Sequence, residues 1–278
     1  MKLRNLFFIL AITLFPALAW GQIHFGVTTA VNATFILDKG ISEDPRYNST
    51  MTYNWAPVGF NFGVDVGRKF GLQLESILSN QGQIYEVIDA AEQIAGQRNI
   101  DLQYLNVPLL FKFMNGSDKK ARTNFNIGPQ FSFLTQATES LQADAGVDYV
   151  IPEGMTYEEI QSNFEQYGGT VIPGSTPDTY ALESDFYAEI DKASNAFKNT
   201  EFQIAAAFGV DIDISRNLIL STQVRANYSL TDMTNEEAFN TVVSGNGSAL
   251  LSERANLLVG VQLGLHYVIG GTRSFKGK

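Results

Sequence analysis

LLVGVQLGLHYVI, residues 257–269, puts Leu257, Val259, Val261, Leu263, Leu265, Tyr267 and Ile269 on one side of an extended chain. Leu258, Gly260, Gln262, Gly264, His266 and Val268 take the other side. A strict period of two over such a length is the signature of a strand with two different faces. The same alternation recurs upstream, from Ile23 to Phe35, Val58 to Val66, Phe70 to Ser79, Tyr104 to Phe113, Asn124 to Phe133, Phe202 to Asp213 and Leu218 to Leu230. Only Ser76 and Ile77 break it, in the third segment. In each segment one face is apolar and the other is polar or small.

Eight such segments fit a soluble sandwich as well as a membrane barrel, and the connections decide between them. Arg68 and Lys69 alone separate the second and third segments, residues 115–120 the fourth and fifth, and Ser215 to Asn217 the sixth and seventh. Between these short turns lie long stretches at 36–56, 80–101, 135–200 and 231–255. Regular alternation of short and long connections belongs to an up-and-down meander with short turns on one side of a membrane. A Greek-key sandwich has no reason for it. The polar face also carries Gly59, Gly63, Gly71, Gly128, Ala205, Ala207 and Gly209, as a barrel whose narrow interior is filled by side chains requires. The expected fold is therefore all-β, an eight-stranded antiparallel up-and-down transmembrane β-barrel with a partly helical extracellular insert. Pro108 and Pro129 fall inside strands, where they cannot donate a ladder hydrogen bond, and read as bulges or irregularities.

Residues 1–21 read as a secretory signal peptide. Lys2 and Arg4 precede an apolar run from Leu6 to Leu18, followed by small residues at Ala17, Ala19 and Gly21. That run of about 13 residues is shorter than the roughly 20 needed to cross a bilayer as a helix. Residues 22–278 are then the barrel domain, integral to a Gram-negative outer membrane, in contact with its lipid and with both termini in the periplasm. The chain has no cysteine, which excludes disulfides and a lipid anchor on cysteine. Its net charge of −10 makes nucleic-acid binding a poor fit.

Candidate functional residues fall into three groups. On the polar face stand Asp65, Glu75, Lys112, Asp211, Asp213 and Arg225. Charges in a filled interior must pair, because an isolated buried ion is costly. Arg225 and Lys112 are expected to bridge Glu75, Asp65 and Asp211 in a polar plug. His24 and His266, near the ends of the first and last strands, are expected together at the periplasmic mouth, as a proton-sensitive latch or a weak metal pair. Two ligands rarely make a dedicated site, so neither metal nor cofactor is expected.

The third group lies in the insert 137–200, where 12 acidic and 2 basic residues give a net charge of −10. Glu158, Glu159, Glu165, Asp185, Glu189 and Asp191 are its candidates. Thr156 and Glu159 form a capping box before a short helix, and Phe186, Ile190, Ala193 and Phe197 read as a second amphipathic helix. The insert is either a solvated cap or a docking surface for a protein partner or for divalent cations. Catalysis is not expected. No Gly-x-Ser-x-Gly or His-Glu-x-x-His appears, and both histidines lie at the rim opposite the long loops.

Two stretches, YLNVPLLFKF at 104–113 and NIGPQFSFL at 126–134, with Phe202 to Asp211 and RANYSLT at 225–231, resemble the PorT-like family of outer-membrane β-barrel proteins. Ser229 stands where the family's seventh-strand motif carries glycine. The resemblance implies an outer-membrane barrel and, for one branch, a part in a secretion or gliding machinery. The function expected is thus a non-enzymatic structural or interaction role in a secretion or surface assembly. The alternative is a lipid-modifying or small-solute-handling barrel.

Overall fold

The computed structural model describes residues 21–38, 46–116, 119–190, 197–235 and 254–276. The expected leader, apart from Gly21, lies outside these residues, as do Asp191 and Ala193. The strands are β1 (Gln22–Asp38), β2 (Tyr47–Thr50), β3 (Thr52–Val66), β4 (Phe70–Ile88), β5 (Ile94–Met114), β6 (Ala121–Ala143) and β7 (Asp148–Val150). One helix, α1 (Tyr157–Glu165), precedes β8 (Val171–Pro173), β9 (Thr179–Leu182), β10 (Phe186–Ile190), β11 (Thr200–Asp213), β12 (Leu218–Ser229) and β13 (Arg254–Val268).

Eight of these close a ring in the order β1, β3, β4, β5, β6, β11, β12, β13, with every pair antiparallel. β13 returns to β1 from His24↔Val268 to Asp38↔Arg254. Closure leaves no edge to the ring. Alternation then sorts the side chains. Phe25, Val27, Phe60, Phe131, Phe208 and Val261 point outward and exposed, while His24, Asn61, Gln130, Ser132, Gln203 and Gln262 are buried inside. Among the described residues no helix is long and apolar enough to cross a membrane, and the apolar surface lies on the outside of the ring.

Several local expectations give way. The stretch 80–101 is no loop. β4 and β5 run on together to a short turn at 89–93, and the alternation through Ser76 and Ile77 continues without a register shift. Ile77 points inward against Ala30 and Ala56. The prolines cause no bulge either. Pro108↔Gln130 and Phe111↔Ile127 share one register, and the shift falls higher, between Gln103 and Tyr104, leaving Thr135 unpaired in the ladder. The Thr135 hydroxyl donates to the Gln103 carbonyl at 2.9 Å and steadies that bulge.

Beyond the bulge β6 continues to Ala143, well into the expected insert. There it is flanked by β5 and by β10, whose pairing runs from Phe186↔Ala143 to Ile190↔Glu139. The expected second helix is therefore a strand at 186–190. Phe186 and Ala188 are buried while Tyr187 and Glu189 are exposed, a period of two that packs both apolar side chains on one side of the sheet. β2 pairs with β4 at Tyr47↔Val87. The strands β2, β4, β5, β6 and β10 thus form a tall wall above one side of the ring.

Against that wall packs a small cap. β9 lies between β7 and β8, and α1 is closed by the expected capping box, with the Thr156 hydroxyl accepting from Glu159 N and the Glu159 carboxylate from Thr156 N. Val87, Ala95, Tyr149, Ile160, Leu182 and Phe186 are the heart of its apolar core. At the opposite end of the barrel the segment after β13 folds back across the mouth. Thr272 N donates to Arg216 O at 2.6 Å, Ser274 Oγ to Asp213 at 2.5 Å and Arg273 to Gly67 O, and Gln22 of β1 donates to Gly271 O.

Candidate functional site

Three interior layers follow from which residues the strands turn inward. At the short-turn end, His24 and His266 meet edge to face with ring centroids 5.3 Å apart. His24 Nε2 stands 3.7 Å from Asp65 Oδ1, and Arg273 of the returning segment 3.7 Å from the other Asp65 oxygen. Both imidazoles are buried, and His24 Nδ1, His24 Nε2, His266 Nδ1 and Asp65 Oδ1 make no hydrogen bond within the protein. Among the described residues no group of three His, Cys, Asp or Glu side chains could hold a metal ion.

Ion pairs run from this mouth up into the middle of the ring. Arg225 and Glu75 bond through two contacts, 2.6 and 2.9 Å, between β12 and β4, which are opposite each other in the ring. The pair is a strut across the full diameter of the lumen, and Gln73 adds a third bond to Glu75 at 2.5 Å. Lys112 takes Asp211 at 2.6 Å, and Asp213 takes Arg122 through two bonds of 2.6 and 2.7 Å. The expected cations Arg225 and Lys112 thus take Glu75 and Asp211. Asp65 instead lies against His24 and Arg273, and Asp213 against Arg122. Arg122 escaped the sequence reading because it falls between the turn at 115–120 and the alternation that begins at Asn124. Its even-numbered place before Asn124 and Asn126 was the signal that it faces inward.

The third layer was also missed. Glu201 is buried, and it accepts hydrogen bonds from Tyr104, from Asn256 at 2.8 and 3.1 Å and from Gln203 at 3.0 Å. Just above it Ile36, Tyr85, Ile100, Leu102, Phe197 and Met233 pack into an apolar layer that fills the ring. The side chains of these three layers project into the interior of the ring.

Among the described residues, the acidic candidates of the insert are not gathered into one cluster. Glu159 caps α1, Asp185 accepts from Ala145 N at 2.8 Å, and Glu165 accepts from Gln161 at 2.8 Å. Glu189 accepts from Tyr187 at 3.4 Å, and Glu158 stands exposed in the first turn of the helix. Most of them help to fold the cap on whose surface they lie. Inside it, burial pushes the Tyr149 hydroxyl up to about 12, where it donates to Ala95 O and Asp144 O at 2.6 and 2.8 Å.

A sequence profile described as outer membrane protein beta-barrel domain matches residues 16–235, and the chain belongs to that family. It is an integral protein of the outer membrane. No curated protein matches the sequence. Among solved structures it is similar to OprG from Pseudomonas aeruginosa, at 12% identity over 90% of this chain and 96% of that one, with a TM-score of 0.41. Neisserial surface protein A is matched at 9% identity over 87% and 96%, with a TM-score of 0.37. The outer membrane protease OmpT from Escherichia coli is matched at 8% identity over 89% and 97%, with a TM-score of 0.37. The presence of a protease among these barrels corrects the expectation that the chain is not an enzyme: the architecture does not exclude catalysis. Likeness at this level assigns no activity to this chain.

Proposed function

We propose that this family member is a structural or interaction barrel whose wall and cap dock a protein partner within a secretion or surface assembly, in keeping with its PorT-like motifs. One observation carries the reading: the described lumen residues are taken up with ion pairs and an apolar layer, whereas the chain invests its insert in a separately cored acidic cap. The exposed surface of that cap is where a partner would be recognised. In this reading the short turns and both termini face the periplasm and the cap faces outward.

The test is affinity capture from detergent-solubilised membranes, with the full chain beside a variant whose residues 144–185 are replaced by a short linker. A partner retained by the full chain and lost from the variant is the expected result. Equal retention sinks the docking role. Protease added to whole cells reads the orientation, since cleavage within the cap is expected and protection would reverse it. A second reading, handling of a small polar solute, is favoured by the unpaired polar atoms of His24, Asn61, Gln262 and His266 in the lumen. Uptake of small solutes into vesicles carrying the protein separates the two.

A further inference from the structure

The outer face of the tall wall changes chemistry in a single step. Leu78, Leu105 and Phe133 face outward side by side on β4, β5 and β6, and the next outward positions up these strands are Asn80, Gln103 and Gln136. From there the wall stands in water and rises in ladder rows. Asp101 pairs with Thr138. Above them one row carries Thr50, Ile84, Asn99, Ser140 and Glu189 across five strands, and the top row carries Asn48, Glu86, Gln97, Gln142 and Tyr187. Residues opposite each other in a ladder share a face of the sheet. The cap packs on the other face, through Val87, Ala143 and Phe186.

Amides, hydroxyls and carboxylates make up nearly all of this outer face. No lysine or arginine stands in these rows. Gln97, Gln136, Thr138, Ser140 and Gln142 make no side-chain hydrogen bond to other described residues, so their donors and acceptors face the water unspent. Two of the three carboxylates are held in place by amides, Glu86 by Asn48 at 2.9 Å and Asp101 by Asn99 at 3.2 Å. Tyr187, 63% exposed, donates its hydroxyl to Glu189 at 3.4 Å and offers a flat ring at one end of the top row.

We propose that this face binds a neutral polysaccharide, its sugars laid along the two upper rows and one of them stacked on Tyr187. Adjacent sugar hydroxyls both donate and accept, and an amide or carboxylate head can meet two of them at once. The apolar side of a sugar ring suits an aromatic ring with a polar tip. Charge decides against an anionic chain, because Glu86, Asp101 and Glu189 would repel it and no cation in the rows offsets them. Size decides against a globular protein. Six residues of height and four strand spacings of width give a plane of at most roughly 400 Å², against about 800 Å² per partner in a stable protein interface. The sugars of a membrane-anchored glycolipid would meet the lowest row first, whereas Tyr187 stands roughly 20 Å above it. The bound chain is therefore one free in the water. This site goes beyond the protein docking of the cap and does not depend on it.

Isothermal titration of the full mature protein, in a detergent without a sugar head, with cellohexaose, xylohexaose, mannohexaose and maltohexaose is the test. Saturable binding of at least one is expected. The combined changes Gln97→Ala, Gln142→Ala and Tyr187→Ala should weaken it about ten-fold, whereas Gln166→Ala on the cap should leave it unchanged. Heat-modifiable gel mobility confirms that each variant is folded. No binding of any neutral hexasaccharide, tighter binding of hexagalacturonate, equal binding by the combined variant, or binding of lipopolysaccharide in place of the free sugars overturns the proposal. Loss of a captured protein partner from the combined variant overturns it as well, since the face would then belong to that partner.

Discussion

The ring and the cap are built inside out relative to each other. Within the ring the buried side chains are polar and ionic, Glu75 with Arg225 and Lys112 with Asp211, and the exposed ones are Phe, Val and Leu. In the cap the buried side chains are Ile160, Leu182, Phe186 and their neighbours, and the exposed ones include Glu158, Glu165 and Asp185. A single strand shows both arrangements. β5 turns Asn106 and Lys112 inward at its lower end, and Ile100 and Leu102 inward at its upper end, with Asp101 exposed between them. The surrounding phase decides which face must be apolar. Lipid takes the outward apolar residues, and water above the membrane leaves them nowhere to go but inward.

The largest test of that contrast is Arg225→Met. It strands the Glu75 carboxylate, and removal of one partner from a buried pair costs about 3–5 kcal/mol. A lower urea midpoint for the folded gel band is the expected outcome, and adding Glu75→Gln should restore most of it. A core governed by apolar packing would show the single change as harmless. Next comes Leu182→Ala, at about 2–5 kcal/mol for a buried leucine. The loss is expected in the cap alone, as rapid proteolysis near residues 144–185 with an unaltered urea midpoint for the barrel. A barrel that weakens equally would merge the two regions into one cooperative unit. The smallest is Thr156→Ala, which removes a helix cap worth about 1 kcal/mol. It should speed cap proteolysis slightly and leave the barrel as it was.

The same contrast explains what could be read from the sequence. The membrane portions of the strands were legible because lipid on one side and a crowded polar lumen on the other force a period of two. The leading edge of β13, with Leu257, Val259 and Val261 against Gly260 and Gln262, needs no partner to be recognised. Above the membrane two events hide the strands. The polar face and the apolar face exchange sides along β4 and β5, so that Gln81 and Gln83 are followed inward by Tyr85 and Val87. In β6 the extra Thr135 shifts the phase, so that Gln130 and Ser132 point inward before the bulge and Glu139 and Ala143 after it. A reading at constant phase stops at such a point and calls the rest a loop. Phe186, Ile190 and Phe197 matched a helical spacing by coincidence of position. For the lumen, the sequence reading named Asp65, Glu75, Asp211 and Asp213 but missed the anion Glu201, at the edge of its segment, and the cations Arg122 and Arg273, which stand beside a turn and in the tail.

The strut between Glu75 and Arg225 joins residues 150 positions apart. Either strand without the other would hold a buried charge with no countercharge, so the bond ties the folded state of β4 to that of β12 across the ring.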